Sequence, residues 1–530
     1  MMKLTISADN IKLFIKKIDE LVNIENKKKG GALAVAVIHG NKIIYQRHIG
    51  KASIEHAVVV KPKTKFYLAS VSKQFTAFCI ALLEKEGKIN VKDKVRQYLD
   101  YLPTHFSDIT IEHLIHHTSG LRDIFLLYGL AGKNSDFDYC HADLERKLIQ
   151  RQQALNVPSG EYYLYSNTGY YLLGEIVSVV SGQSLKKYVE ENVFAPLKMK
   201  NTFICDDVTE IISDRAMGYA YNKDSKQWIR SDINNSVVGS AGVHSTVNDL
   251  CRWMRAFYSP SIVQDLLPQL SRTPDLTNGN RNNYAYGLII NRRAGQTIIQ
   301  HGGTYAGFRA SICILPDAKL GIVITAAIGV DVAKWIDRYI NILLNSDVEP
   351  EKPHYLTSDI DITGIFRGIE SYPYIITKED CYLLGNVFEK GNPIIFNADG
   401  TFQEQGGKAR FSPIIENDNV IALKQIDENG NIFYFKRVND EGSIDIKLLS
   451  GRYYSHETEA IINVITSGKD IYIDGIIHPI KEEALRHIYG NSYLSTKTKL
   501  IVDFKFYPDE NKYCLYVSNS RCLNLEFIAV

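Results

Sequence analysis

The 530-residue chain lacks several features that would define its class at once. Lysine plus arginine total 61 against 60 aspartate plus glutamate, so the net charge gives no reason to expect a nucleic acid as partner. No apolar run approaches the roughly 20 residues that a membrane-spanning helix needs, so we expect no insertion into a membrane. These absences favour a small-molecule or short-peptide substrate as the partner.

The cysteines also lack a pattern that would indicate metal binding or disulfide bonds. Eight are scattered along the chain with no Cys-x-x-Cys pair, so we expect free buried thiols and a reducing compartment. The N-terminal stretch MMKLTISADNIKLFIKKIDELVN has the apolar spacing of an amphipathic helix and lacks the pattern of a secretory signal. As the sequence stands, we expect a cytoplasmic protein, and a periplasmic or secreted one only if a leader is missing.

The hydrophobic periodicity of the sequence changes near residue 350. Before that point helical and strand periodicities alternate, with a predicted helix that begins at Ser70 and stops at Gly87. After it, short alternating strands are separated by turn residues. Two of these segments begin alike, ITGIFRG at Gly364 and LSGRYYS at Gly451, which suggests two related antiparallel barrels or sandwiches.

We therefore predict four segments. Residues 1–345 form a layered unit of helices and sheet, and residues 346–359, with prolines among charges, form a linker. Two antiparallel β domains follow at residues 360–445 and 446–530, and a hairpin is predicted at the Asn429-Gly430 pair.

A hydroxyl and an amine occur three positions apart in the stretch FYLASVSKQFTAF, as Ser70 and Lys73. Helical spacing would place both on one face, and a serine at the start of a helix has the helix dipole directed toward developing negative charge. A lysine crowded by apolar neighbours can lose its proton near neutral pH and become the base that a serine nucleophile needs. Alone, the pattern also fits a surface helix with an extended lysine.

Two further stretches carry polar residues of the same kind. GEYYLYSNTGYYLLG holds Tyr165 and Asn167 just before a helical pattern, so we expect both residues to project from a loop. TIIQHGGTYAGF holds His301 and Gly303 at the predicted end of a strand, where glycine lets another backbone or a substrate approach closely. A histidine that is merely satisfied at a strand end would look the same in isolation.

Three motifs thus occur in a fixed order, Ser70-x-x-Lys73, Tyr165-x-Asn167 and His301-x-Gly303. This series resembles the serine β-lactamase and penicillin-binding protein superfamily over about residues 25 to 345. More narrowly it is similar to the class C β-lactamase-like branch, which includes D-aminopeptidases, D,D-carboxypeptidases and esterases. The resemblance implies an α/β (α+β) β-lactamase-like transpeptidase fold, with an antiparallel sheet flanked by helices and a helical insert. Three-domain D-aminopeptidases add two C-terminal β-barrels, one of which reaches a loop into the active-site cleft.

The resemblance also implies roles for these residues. Ser70 would attack a carbonyl to give an acyl-enzyme, and Lys73 and Tyr165 would share its proton, the cation lowering the pKa of the phenol. Asn167 would hold the lysine or the substrate amide through hydrogen bonds. The oxyanion hole would consist of the backbone N–H groups of Ser70 and Thr304.

His301 is the informative departure from the family pattern. Many β-lactamases have a lysine there, a permanent cation that meets the substrate carboxylate, whereas a histidine is only partly charged near neutral pH. The sequence therefore favours a D-aminopeptidase or related peptidase that cleaves amide, peptide or ester bonds. A carboxylesterase, a weak β-lactamase and a non-catalytic peptidoglycan-binding module remain alternatives.

Three further histidines are interpreted as structural residues. His113, His116 and His117 have helical spacing, but no His-Glu-x-x-His pattern accompanies them, so we expect a structural turn and no metal. We expect no organic cofactor either. The sequence leaves the oligomeric state open.

Overall fold

The computed structural model describes residues 7–27, 30–133, 142–222, 225–277, 282–344, 361–369, 372–379, 381–388, 391–397, 399–427, 431–439, 444–475 and 482–530. The predicted linker at 346–359 and the predicted Asn429-Gly430 hairpin lie outside these residues. The division into four segments with those bounds stays a prediction.

Within the described residues, every α-helix lies before residue 345. The helices are α1 (Ala8–Lys27), α2 (Lys73–Lys85), α3 (Ile111–Ile115), α4 (Ile124–Leu130), α5 (Ala142–Gln150), α6 (Asn167–Ser181), α7 (Leu185–Val189), α8 (Val247–Ala256), α9 (Ile262–Asp265), α10 (Leu267–Leu270) and α11 (Val332–Leu344). Their ends follow ordinary capping rules. Thr246, for example, caps α8 through its side chain, and Gly182 ends α6 with a φ of 70°.

The same part of the chain holds one large sheet and several short pairings. The strands are β1 (Leu33–His39), β2 (Lys42–Ile49), β3 (Lys51–Ser53), β4 (Val58–Val59), β5 (Phe66–Tyr67), β6 (Phe203–Ile204), β7 (Tyr219–Asn222), β8 (Gln227–Arg230), β9 (Val243–Ser245), β10 (Ile289–Arg293), β11 (Gln296–Tyr305), β12 (Phe308–Leu315) and β13 (Leu320–Ala326). Six of them form an antiparallel sheet in the order β10-β11-β12-β13-β1-β2.

Both faces of this sheet are buried, because its strands alternate apolar side chains toward two separate cores. In β1, Ala34, Ala36 and Ile38 face a core shared with α2, α6 and α8. Leu33 and Val35 face the opposite core, which α1 and α11 cover. The predicted layered α/β unit is confirmed, but both terminal helices, α1 and α11, pack together on one face of the sheet, and the other helices lie on the opposite face.

Two closed barrels follow, each made of eight antiparallel strands. The first contains β14 (Gly364–Arg367), β15 (Tyr374–Lys378), β16 (Tyr382–Asn386), β17 (Asn392–Phe396), β18 (Phe402–Glu404), β19 (Arg410–Glu416), β20 (Asn419–Ile426) and β21 (Ile432–Val438). The second contains β22 (Gly451–Tyr454), β23 (Ile461–Ser467), β24 (Asp470–Asp474), β25 (Glu483–Tyr489), β26 (Ser492–Ser495), β27 (Ile501–Tyr507), β28 (Lys512–Ser518) and β29 (Leu525–Ala529). The two similar segments of the sequence are the first strands of the two barrels.

The second barrel shares a hydrophobic core with the first part of the chain. Leu127 of α4 and Leu148 of α5 are fully buried in the same cluster as Val502, Leu515 and Phe527 of the barrel. Burial of apolar surface contributes about 25 cal/mol per Å² to stability, so this shared core stabilises the packing of the barrel against α4 and α5.

Candidate active site

Ser70 lies on a tight turn between β5 and α2. The turn is a 3-10 helix over Ala69–Ser72, and the α-helix itself begins only at Lys73. The prediction that Ser70 begins an α-helix is therefore corrected by three residues. Ala69 has a φ of 47°, a left-handed conformation that is costly for alanine and that turns the following serine toward the cleft.

Lys73 lies beneath the cleft and is fully buried. Its Nζ is 3.2 Å from Ser70 Oγ, 2.7 Å from Asn167 Oδ1 and 2.9 Å from the Ser240 carbonyl oxygen. Burial lowers the pKa of Lys73 well below its ordinary value, although the charge of Asp123 acts in the opposite direction. The amine therefore loses its proton more easily than an exposed lysine does.

The Tyr165 ring lies beside the same lysine, with its centroid 4.8 Å from Lys73 Nζ, and its hydroxyl is hydrogen-bonded to Ser70. Burial raises the pKa of Tyr165, and this effect outweighs the Ser70 hydrogen bond and the Arg521 charge, which lower it. The expectation of a lowered pKa is therefore wrong, because burial outweighs the effect of the neighbouring cation. The phenol keeps its proton at neutral pH.

Asn167 is the first residue of α6 and is buried, so the expectation that it projects from a loop is wrong. Its backbone N–H and its Nδ2 both donate to Asp123 Oδ2, each at 2.8 Å. Asp123 Oδ1 accepts from the Phe125 N–H at 3.0 Å and so caps α4. This arrangement fixes the Asn167 amide with its oxygen directed at Lys73.

His301 lies within β11, which continues to Tyr305 and does not end at the histidine as predicted. Its Nδ1 is 2.6 Å from the Gly302 carbonyl oxygen and its Nε2 is 2.8 Å from the Tyr284 hydroxyl. Since a carbonyl only accepts, Nδ1 carries the proton and Nε2 accepts from Tyr284. Burial, helped by the charge of Lys73, lowers the pKa of His301 to about 3, so the ring is neutral.

Gly303 brings β11 against the turn that carries Ser70. A Cβ at this position would lie 2.1 Å from the Leu68 carbonyl oxygen and 3.1 Å from the Ser70 nitrogen. Only glycine allows that approach, as the sequence suggested. Thr304, the next residue, is exposed and lines the cleft.

The predicted site residues converge on one cleft of about 750 Å³. Ser70, Tyr165, Asn167, His301, Gly303 and Thr304 line it, and Lys73 lies directly below through its contact with Ser70. The structure thus brings together all seven residues from motifs that are far apart in sequence.

The three histidines of the EHLIHHTSG stretch have structural partners. His113 completes a capping box with Thr110 at the start of α3, and His116 Nδ1 is 2.8 Å from the Tyr284 carbonyl oxygen. His117 Nδ1 accepts from the Ser166 N–H at 3.1 Å, and its ring centroid is 4.1 Å from that of Tyr165. Across the described residues, no group of three or more His, Cys, Asp or Glu side chains is placed to hold a metal ion.

Sequence reasoning missed four residues of the site, Asp123, Ser240, Tyr284 and Arg521. Asp123 precedes the apolar run IFLLYGL, so its role as a helix cap could have been found from that pattern. Ser240 contributes a backbone carbonyl, which any residue type could supply. Arg521 belongs to the second barrel, and no local pattern marks it.

The 519–524 loop, which joins β28 to β29, brings Arg521 into the cleft. The Arg521 carbonyl oxygen accepts from the Asp123 N–H at 3.1 Å and from Asn156 Nδ2 at 3.0 Å. Its guanidinium carbon is 4.6 Å from the centroid of the Tyr165 ring. A loop of the 446–530 region therefore does narrow the cleft.

The family model described as Beta-lactamase matches residues 15–344, which is more than half of the chain. The chain belongs to the Beta-lactamase family. Penicillin-binding protein 4* of Bacillus subtilis strain 168 is 30% identical over 287 residues, or 52% of this chain and 63% of that protein. Protein flp of Staphylococcus aureus strain MW2 is 27% identical over 318 residues, or 58% of this chain and 62% of that protein. The chain thus spans a little over three fifths of the length of the curated relatives it matches.

One solved structure extends the likeness in fold of this Beta-lactamase family member over nearly the whole chain, barrels included. An octameric penicillin-binding protein homologue from Pyrococcus abyssi covers 97% of this chain and 99% of its own, with a TM-score of 0.54 and 18% identity. A penicillin binding protein from Bacillus halodurans is 25% identical, with a TM-score of 0.51 over 61% of this chain and 98% of its own. The fold class expected from the sequence is confirmed. Over the described residues, no helix is long and apolar enough to cross a membrane.

Proposed function

We propose that this chain is a serine hydrolase that cleaves amide, peptide or ester bonds through an acyl-enzyme on Ser70. The observation that carries the proposal is the placement of Lys73 Nζ, 3.2 Å from Ser70 Oγ with two further acceptors in contact. A neutral amine has two N–H donors and one lone pair. The Asn167 oxygen and the Ser240 carbonyl oxygen take the two donors, so the lone pair is left for the Ser70 proton.

The steps of the reaction follow from this arrangement. Lys73 accepts the Ser70 proton while Oγ attacks the carbonyl carbon of the substrate, and the backbone N–H groups of Ser70 and Thr304 stabilise the oxyanion. Tyr165, neutral and hydrogen-bonded to Ser70, relays a proton from Lys73 to the leaving group as the scissile bond breaks. Water then attacks the acyl carbon and gives up a proton to Lys73 and Tyr165. The same pair returns a proton to Ser70 Oγ as the acyl bond breaks, which frees Ser70.

Within this class, D-aminopeptidase activity is the variant that the sequence favours, and it makes a specific demand on the cleft. A free substrate ammonium needs a carboxylate partner, and the carboxylates that line the cleft are Asp123 and Asp331. Asp123 already accepts three N–H groups, whereas Asp331 is 53% exposed and is paired with the exposed Lys334 at 3.5 Å. An aminopeptidase would therefore bind its ammonium at Asp331.

A second candidate is hydrolysis of substrates that carry a carboxylate, as peptidases of C-terminal residues and β-lactamases do. The cationic Arg521 in the cleft favours this candidate. The non-catalytic alternative, a module that only binds peptidoglycan fragments, gives no reason for a buried lysine against a serine hydroxyl.

The decisive experiment is labelling with an uncharged fluorophosphonate, followed by intact mass and peptide mapping. We expect one adduct on Ser70, which Ser70→Ala abolishes. Ser72→Ala is the matched control, because Ser72 lies on the same turn but its Oγ accepts from the Val243 N–H at 3.1 Å. A folded wild-type protein that takes up no label would contradict the hydrolase proposal and support the binding module.

A further inference from the structure

Arg521 is held in the cleft by its backbone. Its carbonyl oxygen accepts from the Asp123 N–H and from Asn156 Nδ2, and its own N–H donates to Asn519 Oδ1 at 3.0 Å. The next two residues are also fixed, since the Cys522 N–H donates to Asn519 Oδ1 and the Leu523 N–H to Asn156 Oδ1. The backbone from which the side chain projects is thus held in place before any ligand arrives.

None of the carboxylates that line the cleft forms an ion pair with the Arg521 guanidinium among the described residues. Arg309 donates to the Ala306 and Phe308 carbonyl oxygens, and Asp331 is the carboxylate whose charge acts on it. The Asp123 carboxylate already accepts hydrogen bonds from three N–H groups. Within the described part of the chain, the Arg521 guanidinium has no ion pair or hydrogen bond, and its contact is with the face of Tyr165.

His301 cannot supply the cation that a lysine would supply at its position. The ring is buried, and both nitrogens are engaged, by the Gly302 carbonyl and the Tyr284 hydroxyl. A positive charge for an anionic substrate must therefore come from elsewhere in the cleft. Of the two arginines that line it, Arg309 commits its Nη1 to two carbonyl oxygens and is acted on by the charge of Asp331, whereas no guanidinium nitrogen of Arg521 has a hydrogen bond among the described residues.

We propose that Arg521, delivered by the second barrel, binds a carboxylate of the substrate and so selects peptides or amides that carry a free carboxylate near the scissile bond. The planar fork of a guanidinium matches a carboxylate with two parallel hydrogen bonds. The Tyr165 ring contacts the Arg521 guanidinium, and the Tyr165 hydroxyl contacts Ser70. A substrate carboxylate bound to Arg521 therefore belongs to the residue next to the scissile bond or to the residue after that one. This inference rests on the proposed function and names its substrate class.

The test compares substrates that differ only in that carboxylate. Kinetics are measured on N-acetyl-D-alanyl-D-alanine and its C-terminal carboxamide, and on an acylglycyl thioglycolate and its amide. We expect the wild type to prefer the carboxylate by at least tenfold in kcat/KM. Arg521→Gln should lower kcat/KM for the carboxylates by tenfold or more, mainly through KM, and leave the carboxamides within threefold. Arg521→Lys should restore part of the preference.

Arg309→Gln is the matched control, because it removes a second arginine of the cleft, one whose Nη1 is already bound to two carbonyl oxygens and whose charge is balanced by Asp331. It should leave the ratio of carboxylate to carboxamide unchanged. A wild type with no preference, an Arg521→Gln variant with an unchanged ratio, or a preference for substrates with a free N-terminal amine would each overturn the proposal.

The uncharged fluorophosphonate separates this failure from failure of the hydrolase proposal. Equal labelling of Ser70 in the wild type and in Arg521→Gln, together with no carboxylate preference, would refute only the role of Arg521. If Ser70 takes no label, calorimetric titration of the two N-acetyl dipeptides into Ser70→Ala still tests Arg521. We then expect at least tenfold tighter binding of the carboxylate form, lost in the double variant with Arg521→Gln, and equal affinities would overturn the inference.

Discussion

Lys73 and Tyr165 contact the same serine and are both buried, but burial shifts their pKa values in opposite directions. Burial disfavours the charged form of each, so the lysine tends to lose its proton and the tyrosine to keep its own. Under the proposed function, this favours Lys73 as the base and Tyr165 as the acid before any substrate is bound.

At this scale we expect the acylation rate to depend on the charge state of Lys73. Because its pKa lies below the ordinary value, the base form increases as pH rises through that lowered pKa, and labelling of Ser70 should accelerate and then level off. Lys73→Met should slow labelling by roughly 10²-fold or more at every pH. Lys73→Arg keeps the cation but cannot act as a base at neutral pH. Recovery of the rate by arginine would show that only the charge matters.

At the scale of elements, the site depends on how closely β11 passes the turn that carries Ser70. Gly303→Ala would place a methyl group 2.1 Å from the Leu68 carbonyl oxygen, so the strand or the turn must shift. We expect a lower melting temperature and labelling of Ser70 slowed by at least tenfold. Gly302→Ala is the neighbouring control, since its Cβ would meet only the Ala310 carbonyl oxygen, at 3.9 Å. Equal melting temperatures of the two variants would contradict the close approach.

Helix α5 carries a buried acid that the reaction does not use. Glu145 is 1% exposed, neither of its carboxyl oxygens has a hydrogen-bond partner among the described residues, and burial raises its pKa to about 8. The folded-state pKa is above the unfolded value, so the stability that this group contributes is present below about pH 4.5 and is lost as pH rises toward 8.

We therefore expect Glu145→Gln to unfold at the same urea concentration as the wild type near pH 4.5 and at a higher one near pH 8. The free energy difference between them should grow by at most about 1.4 kcal/mol per pH unit. Asp143→Asn, on the exposed side of the same helix, should show no such divergence. A Glu145→Gln curve parallel to that of the wild type would mean that the carboxyl is ionised in the folded protein.

At the scale of the molecule, a buried ion pair joins the first part of the chain to the second barrel. Arg122 Nη1 is 3.2 Å from Glu457 Oε1, with side chains 3% and 7% exposed, and Nη2 also donates to the Leu523 carbonyl oxygen at 3.2 Å. Removal of one member leaves the other charge buried without its partner.

We expect Arg122→Ala to lower the free energy of unfolding by about 3 to 5 kcal/mol in urea denaturation. Arg151→Ala breaks a second pair across the same interface, with Glu459, but those side chains are 29% and 54% exposed. Its cost should stay below about 1 kcal/mol. Similar midpoints for the two variants would show that the buried pair adds nothing to the docking of the barrel.

The sequence supported the fold and most of the site because their signals are local. The six-stranded sheet follows from apolar alternation in strands such as β1 and β13, and the site from three short motifs. Arg521 could not be predicted, because its place in the cleft depends on how a barrel docks against α4 and α5. The pKa of Tyr165 could not be predicted for a related reason: neighbouring charge was visible in the sequence, but the burial that outweighs it is a property of the assembled cleft.

The contact of the Arg521 carbonyl with Asp123 also sets an order in time. A ribosome makes the 519–524 loop after every other residue of the site, and domains generally fold as they emerge, N-terminal ones first. Until the second barrel is made, Asp123 lacks the acceptor that fixes its backbone, and α4 and α5 lack the partner for their apolar faces. Chains released early therefore carry Ser70 without the support that positions Asn167 and Lys73, so under the proposed function hydrolysis begins only when synthesis has passed the last strands.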